Sequence, residues 1–273
     1  MELWHCTCRL HDGHEIAPDP ATIGAAVRLV LAVGLPRGLV IFCVVDDHLH
    51  TLLASDRDAA AETMRRLQVA FARHADLPAA FEAPRFKRIA DREHLWRTVP
   101  YILRQTHRLQ PPTEPFWEGS AAPDLAGLRW PGRPLRERLL RHLPELREEA
   151  VFHWLGAGSD VVSGWGDQIP REQLAVLARA AAAAFAIPTV RAGGALGQLA
   201  IRAACRAVSH EVPTILLATT LGIAPRAALA GRTAQVDPDA VGAVLRQAWL
   251  RVAWERTRRI LDPDALRSAA GWR

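Results

Sequence analysis

Sixteen consecutive positions, 39–54, hold Leu, Val, Ile, Phe, Cys and Ala, with polar interruptions only at Asp46, Asp47, His48, His50 and Thr51. A run this aliphatic and β-branched fits one or two strands buried inside a sheet, not a strand with one wetted face. A chain built around it needs enough other elements to cover it. With 273 residues, 49% hydrophobic and 23% charged, the sequence can supply about two domains with their own cores, and its composition is far from that of disordered chains. No uncharged apolar stretch reaches the ~18 residues that cross a bilayer. Four scattered cysteines (Cys6, Cys8, Cys43, Cys205) are too few for a secreted disulfide framework, and Glu2 and His5 stand where a leader would be basic and then apolar. A reduced, cytoplasmic protein without a membrane segment is expected.

Around the apolar run the periodicity alternates between strand and helix. Residues 3–9 read as a strand ending at a His11-Asp12-Gly13 turn, and residues 18–33 as a helix opened by Asp19 and Pro20 and closed by Gly34. Residues 58–74 form an amphipathic helical pattern, 84–90 a short strand, and 91–110 a helix that Pro100 kinks or starts. This order predicts an α+β sandwich on a mostly antiparallel sheet. The Gln110-Pro111-Pro112-Thr113-Glu114-Pro115 segment is the strongest linker signal. It predicts a first domain over 1–115, a linker over 116–133 and an all-α domain over 134–273.

The charge is unevenly placed. The net charge is +5, and residues 191–273 hold 12 basic against 6 acidic side chains. Residues 85–108 form a second basic island with Arg85, Lys87, Arg88, Arg92, Arg97, Arg104 and Arg108. Lys87 is the only lysine, so almost every cation is a guanidinium, suited to bidentate phosphate contacts.

His48-Leu49-His50 closes the apolar run, and residues two apart on a strand share a face, so both imidazoles can converge on one ion. With 11 histidines in the chain, such a pair is weak evidence alone; a strand-end histidine bonded to Asp46 or Asp47 explains it equally well. Tyr101 adds weight, being the only tyrosine, set in the basic island on a helical segment with Gln105 one turn further on. Two ring nitrogens, an amide oxygen and a phenol, with positions left for phosphate and water, suit Mg²⁺ or Mn²⁺ better than zinc. The Cys6, Cys8, His11, His14 spacing matches no common zinc knuckle.

Over residues 3–110 the chain resembles the single-tyrosine HUH transposases, in particular the REP-associated tyrosine transposases of bacteria. The likeness rests on Asp47-His48-Leu49-His50-Thr51, on Tyr101-Ile102-Leu103-Arg104-Gln105, on Trp4-His5-Cys6-Thr7-Cys8-Arg9 as first strand, and on Arg85-Phe86-Lys87 before the tyrosine helix. Asp47 replaces the family's usual Asn, and Gln105-Thr106-His107-Arg108 replaces its Asn-Pro-Val-Arg ending, which makes His107 an alternative third ligand. The resemblance implies a ferredoxin-like HUH nuclease fold and a metal-dependent single-strand DNA endonuclease and strand transferase. Tyr101 would be its nucleophile, forming a 5′-phosphotyrosine, and His48, His50 and Gln105 its ligands for Mg²⁺ or Mn²⁺. Arg85, Lys87, Arg88, Arg104 and Arg108 would contact DNA. Single-stranded or hairpin DNA is then the partner, a homodimer the implied assembly, and the nucleoid the implied location. The alternative is a domesticated, non-catalytic DNA-binding regulator.

Beyond residue 134 the sequence is helical in pattern. Residues 214–223 place Ala218, Gly222 and Ile223 at positions 5, 9 and 10 of a helix-turn-helix pattern, followed by Pro225 and Arg226. Arg226 and Arg232 would face DNA, although a plain helical hairpin gives the same pattern.

Overall fold

The computed structural model describes residues 2–17, 19–45, 47–74, 77, 80–105, 118–154, 165–191 and 193–261. The N-terminal elements run β1 (Glu2–Arg9), α1 (Pro20–Gly34), β2 (Leu39–Val44), β3 (His48–Ser55), α2 (Arg57–His74), β4 (Arg85–Arg88) and α3 (Arg92–Leu103). The strands form one antiparallel sheet in the order β2-β3-β1-β4, so the protein is α+β. The apolar run is two strands, β2 and β3, joined through residues 45–47. The helix starts follow local chemistry: Asp19 Oδ1 accepts from Thr22 N at 3.0 Å, Asp56 Oδ1 from Ala59 N at 2.7 Å, and Asp91 Oδ1 from His94 N at 2.8 Å. Pro100 neither starts nor breaks α3; it sits inside its last turn.

Alternation along β1 decides what each face carries. Trp4, Cys6 and Cys8 face α2, where Arg57 stacks 3.5 Å over the Phe86 ring and Thr51 Oγ1 lies 3.3 Å from Met64 Sδ. His5, Thr7 and Arg9 lie on the other face, opposite Leu52, His50 and His48 in register, where α3 also packs.

All six residues of β2 are buried although it is a sheet edge. Its open side is covered by residues 119–121, with Val44 N donating to Gly119 O at 2.9 Å and Ala121 N to Phe42 O at 2.8 Å. Three further helices follow: α4 (Ala122–Leu125), α5 (Arg133–His142) and α6 (Glu148–Trp154). Leu125, Leu128, Leu135, Leu139, Leu143, Val151 and Phe152 join the same core as the sheet. Residues 118–133, within the linker expected over 116–133, are therefore packed structure, because β2 needed a cover on its third side. The buried pair Asp124–Arg129, with Nε to Oδ1 at 2.8 Å, holds this cover together. The proline-rich residues 110–115 lie outside the described residues.

A second core begins at Ile169, so hydrophobic packing divides between residues 154 and 169 and not near 134. It is helical, as expected: α7 (Leu177–Ala184), α8 (Gly194–Ala207), α9 (Thr214–Leu221), α10 (Pro225–Thr233) and α11 (Pro238–Leu261). The helical unit includes a 3-10 segment, Arg171–Val176, directly before α7. The long α11 touches both cores: Leu250 packs in the first, Val252 in the second, and Gln247 Nε2 donates to Leu128 O at 3.1 Å. Among the described residues no single helix is long and apolar enough to cross a membrane.

Candidate active site

A cleft of about 610 Å³ opens on the α3 side of the sheet, lined among others by His5, Arg9, His48, His50, Arg85, Lys87, Tyr101 and Gln105. Its floor is built by register. Thr7 pairs with His50, Arg9 with His48 and His5 with Lys87, and residues directly opposite on antiparallel strands share a face. Its wall is α3, pinned by the buried residues Leu95, Val99, Ile102 and Leu103 and by a 2.8 Å bond from Trp96 Nε1 to Glu145 Oε1. The opposite side of that helix presents Tyr101, 45% exposed.

The predicted residues do converge. The His48 and His50 ring centroids are 4.7 Å apart, and that of Tyr101 is 5.8 Å from that of His50. Gln105 is buried just past α3, its Nε2 donating to Tyr101 O at 2.9 Å. That bond uses the amide's N–H₂ and leaves its oxygen as the acceptor.

Each of the two histidines has its Nδ1 already occupied. His48 Nδ1 bonds Asp47 Oδ1 at 2.6 Å, and Asp47 Oδ2 is held by Arg9 Nε at 3.2 Å. His50 Nδ1 lies 3.0 Å from His5 Nε2, with the two rings stacked at 5.3 Å. The Nε2 of His50 is buried without a hydrogen-bond partner, an expensive state for a polar atom unless something else is to meet it. Burial holds His50 down at about 3, helped by the neighbouring His48, His5 and Arg9, and holds His5 at about 4, helped by Lys87 and His94. Both rings are thus neutral near pH 7 with lone pairs to share.

Sequence reading missed His5. Its signal was the two-residue period that sets His5, Thr7 and Arg9 on one face of β1, which means nothing until β1 is known to lie beside β3. Asp47, one of the two carboxylates expected beside the histidine pair, is the partner of His48.

The basic island divides. Arg85 and Lys87 share the cleft face. Arg88 does not: it lies opposite Trp4 and pairs with Glu2 at 3.1 Å on the α2 side, because alternate strand residues point to opposite faces. Arg104 caps α3 and is exposed. His107 and Arg108 lie outside the described residues. Cys6 and Cys8 are buried, their thiols pushed up to about 12 by desolvation; Cys6 is not among the residues that line the cleft. Among the described residues no three His, Cys, Asp or Glu side chains are grouped to hold a metal ion.

In the helical unit Arg226 is exposed at the start of α10. Arg232 is not aimed outward: its guanidinium donates to Val212 O at 2.6 Å and His210 O at 3.4 Å. It closes the loop before α9, having satisfied carbonyls that the turn leaves unpaired.

No protein-family model, no curated protein and no solved structure matches this chain.

Proposed function

We propose that the protein is a metal-dependent, HUH-type single-strand DNA endonuclease and strand transferase with Tyr101 as nucleophile. The observation that carries this reading is the buried, unpartnered Nε2 of His50 in the cleft that Tyr101 and Gln105 also line. The βαββαβ order with strands arranged β4-β1-β3-β2 supports the ferredoxin-like assignment of the fold. The donor set fits a divalent ion: the imidazoles of His48 and His50 with Nδ1 engaged, as metal-binding histidines commonly have, and the amide oxygen of Gln105. Mg²⁺ or Mn²⁺ bound there supplies Lewis-acid polarisation of a phosphate oxygen.

The chain's own groups account for the remainder. Arg85 and Lys87, on the sheet face beside the cleft, hold the phosphate backbone of a single strand. Tyr101, exposed on the cleft wall, presents its Oη for in-line attack on a phosphodiester. The bond from phosphorus to Tyr101 Oη forms and the bond to the 3′-oxygen breaks, giving a 5′-phosphotyrosine; the phenol proton is lost and the departing 3′-oxygen gains one. The bond energy is conserved, so a later 3′-hydroxyl reverses the step without a nucleotide cofactor. A single-stranded or hairpin substrate fits because a paired strand cannot bend its phosphate into a cleft on a sheet surface.

The test is incubation with Mn²⁺ and labelled hairpin oligonucleotides, run on denaturing gels beside Tyr101→Phe. A protease-sensitive covalent adduct with the wild type alone is expected. Cleavage retained by Tyr101→Phe overturns the covalent mechanism in favour of hydrolysis, and tight binding with no cleavage points to a regulator.

A further inference from the structure

We propose that the helical unit carries a second, separate nucleic-acid surface, which seats α10 in the major groove of double-stranded DNA. This goes beyond the cleft, whose basic strand suits a single strand.

The geometry comes first. Helices α9 and α10 cross at 106°, within the 90–120° of helix-turn-helix pairs. The turn is fixed by Gly222 at φ +62°, and Ile223 N donates to Ala218 O at 3.0 Å. Any Cβ at position 222 would fall 1.5 Å from Arg191 Nη2, so the turn also seats a guanidinium beside the start of α10. Behind α10 stands α8, where a Cβ on Gly231 would lie 2.8 Å from Cys205 Sγ. Ala228 and Gly231 face this support and are buried. The outward face of α10 is left with Arg226, Leu229, Ala230 and Thr233, all exposed.

The chemistry of that face selects the occupant. Residues 191–233 contain five arginines and a single acidic residue, Glu211. Arg232 is used internally, and Arg191, Arg202, Arg206 and Arg226 are exposed, at both ends of α10. Phosphates on either side of a groove are complementary to such a frame. Between them Leu229, 58% exposed, offers an apolar contact of the kind that meets a thymine methyl. A second copy of the chain is a poorer fit, since a self-complementary contact here would set guanidinium against guanidinium.

The experiment uses the full chain carrying Tyr101→Phe, so that cleavage does not consume the probe, and selects from a random duplex pool. A recurring duplex sequence is expected. Its affinity should fall roughly 5- to 150-fold in Arg226→Ala and in Leu229→Asp, while hairpin binding at the cleft stays within about 2-fold. Both side chains are exposed, and unchanged circular dichroism and melting of the variants separates lost contact from lost fold. No enriched sequence, or duplex binding equal to the parent in both variants, overturns the proposal. So does a Leu229→Asp variant that leaves duplex affinity intact yet turns a sedimenting dimer into a monomer, or that loses only its binding to anionic vesicles; these assign the face to a second copy or to a lipid surface. Because the readout is duplex affinity, failure of the cleavage reading leaves the result interpretable.

Discussion

His5 Nε2 lies 3.0 Å from His50 Nδ1, a contact between strands 45 positions apart in the chain. It turns His50 so that its other nitrogen is the one available in the cleft. The same arrangement recurs at His48, held by Asp47, so each imidazole has a positioning partner of a different kind. Removing such partners commonly costs 10–100-fold in metal affinity. His5→Phe is expected to weaken Mn²⁺ binding, measured by titration followed with electron paramagnetic resonance, by roughly that factor, and His5→Gln by less. Unchanged affinity in His5→Phe would remove His5 from the site.

Asp47→Ala should likewise weaken Mn²⁺ binding, about 10-fold or more. Asp47→Asn retains an acceptor for the His48 N–H and should recover most of that loss. If the two variants bind Mn²⁺ equally, the carboxylate is only a partner for Arg9.

Strand alternation makes a sharp forecast for the basic island. Arg85→Ala and Lys87→Ala should each lower affinity for single-stranded DNA and reduce the slope of log affinity against log salt by about 0.7. Arg88→Ala, on the other face, should leave both unchanged. Fluorescence anisotropy across a salt series distinguishes the three; an equal effect of Arg88→Ala contradicts the register of β4.

The cover on β2 depends on the Asp124–Arg129 pair, both side chains nearly inaccessible. Arg129→Ala leaves a buried carboxylate unpaired and should cost about 3–5 kcal/mol in urea denaturation. Gly132→Ala should disturb the same pair, since its Cβ would come within 1.6 Å of Asp124 Oδ1. A flexible tether would tolerate either change.

Acid should destabilise the metal-free protein through His5 and His50. Burial depresses both, to about 4 and about 3, below the ordinary 6.5 of the unfolded chain. As pH falls below 6.5 the unfolded state therefore binds protons that the folded state does not, and stability drops until the folded values are reached. In chelator, the urea midpoint should fall between pH 7 and 5, and His50→Gln should flatten that fall. A midpoint equally pH-sensitive in His50→Gln would assign the effect elsewhere.

Local signals in the sequence determined a good deal. The apolar run, Asp19 and Pro20 at the start of α1 and the helical period of residues 58–74 are short-range features, and they gave the α+β order; the helix expected over 91–110 is α3, which ends at Leu103. His48 and His50 were legible as a pair because spacing within one strand sets them on one face, and Gln105 as a neighbour of Tyr101 because it follows four residues on, although it lies just past the end of α3. What the tertiary structure alone decided depends on which strands are neighbours. Pairing of β1 with β3 brought His5 to His50, and the pleat of β4 sent Arg88 away from Arg85 and Lys87. The open edge of β2 drew residues 118–133, composed like a linker, into the core. Arg232, basic and on a helix, became a bond donor to its own loop. Spacing acts within an element, but strand adjacency and burial are settled only when distant elements compete for the same apolar surface.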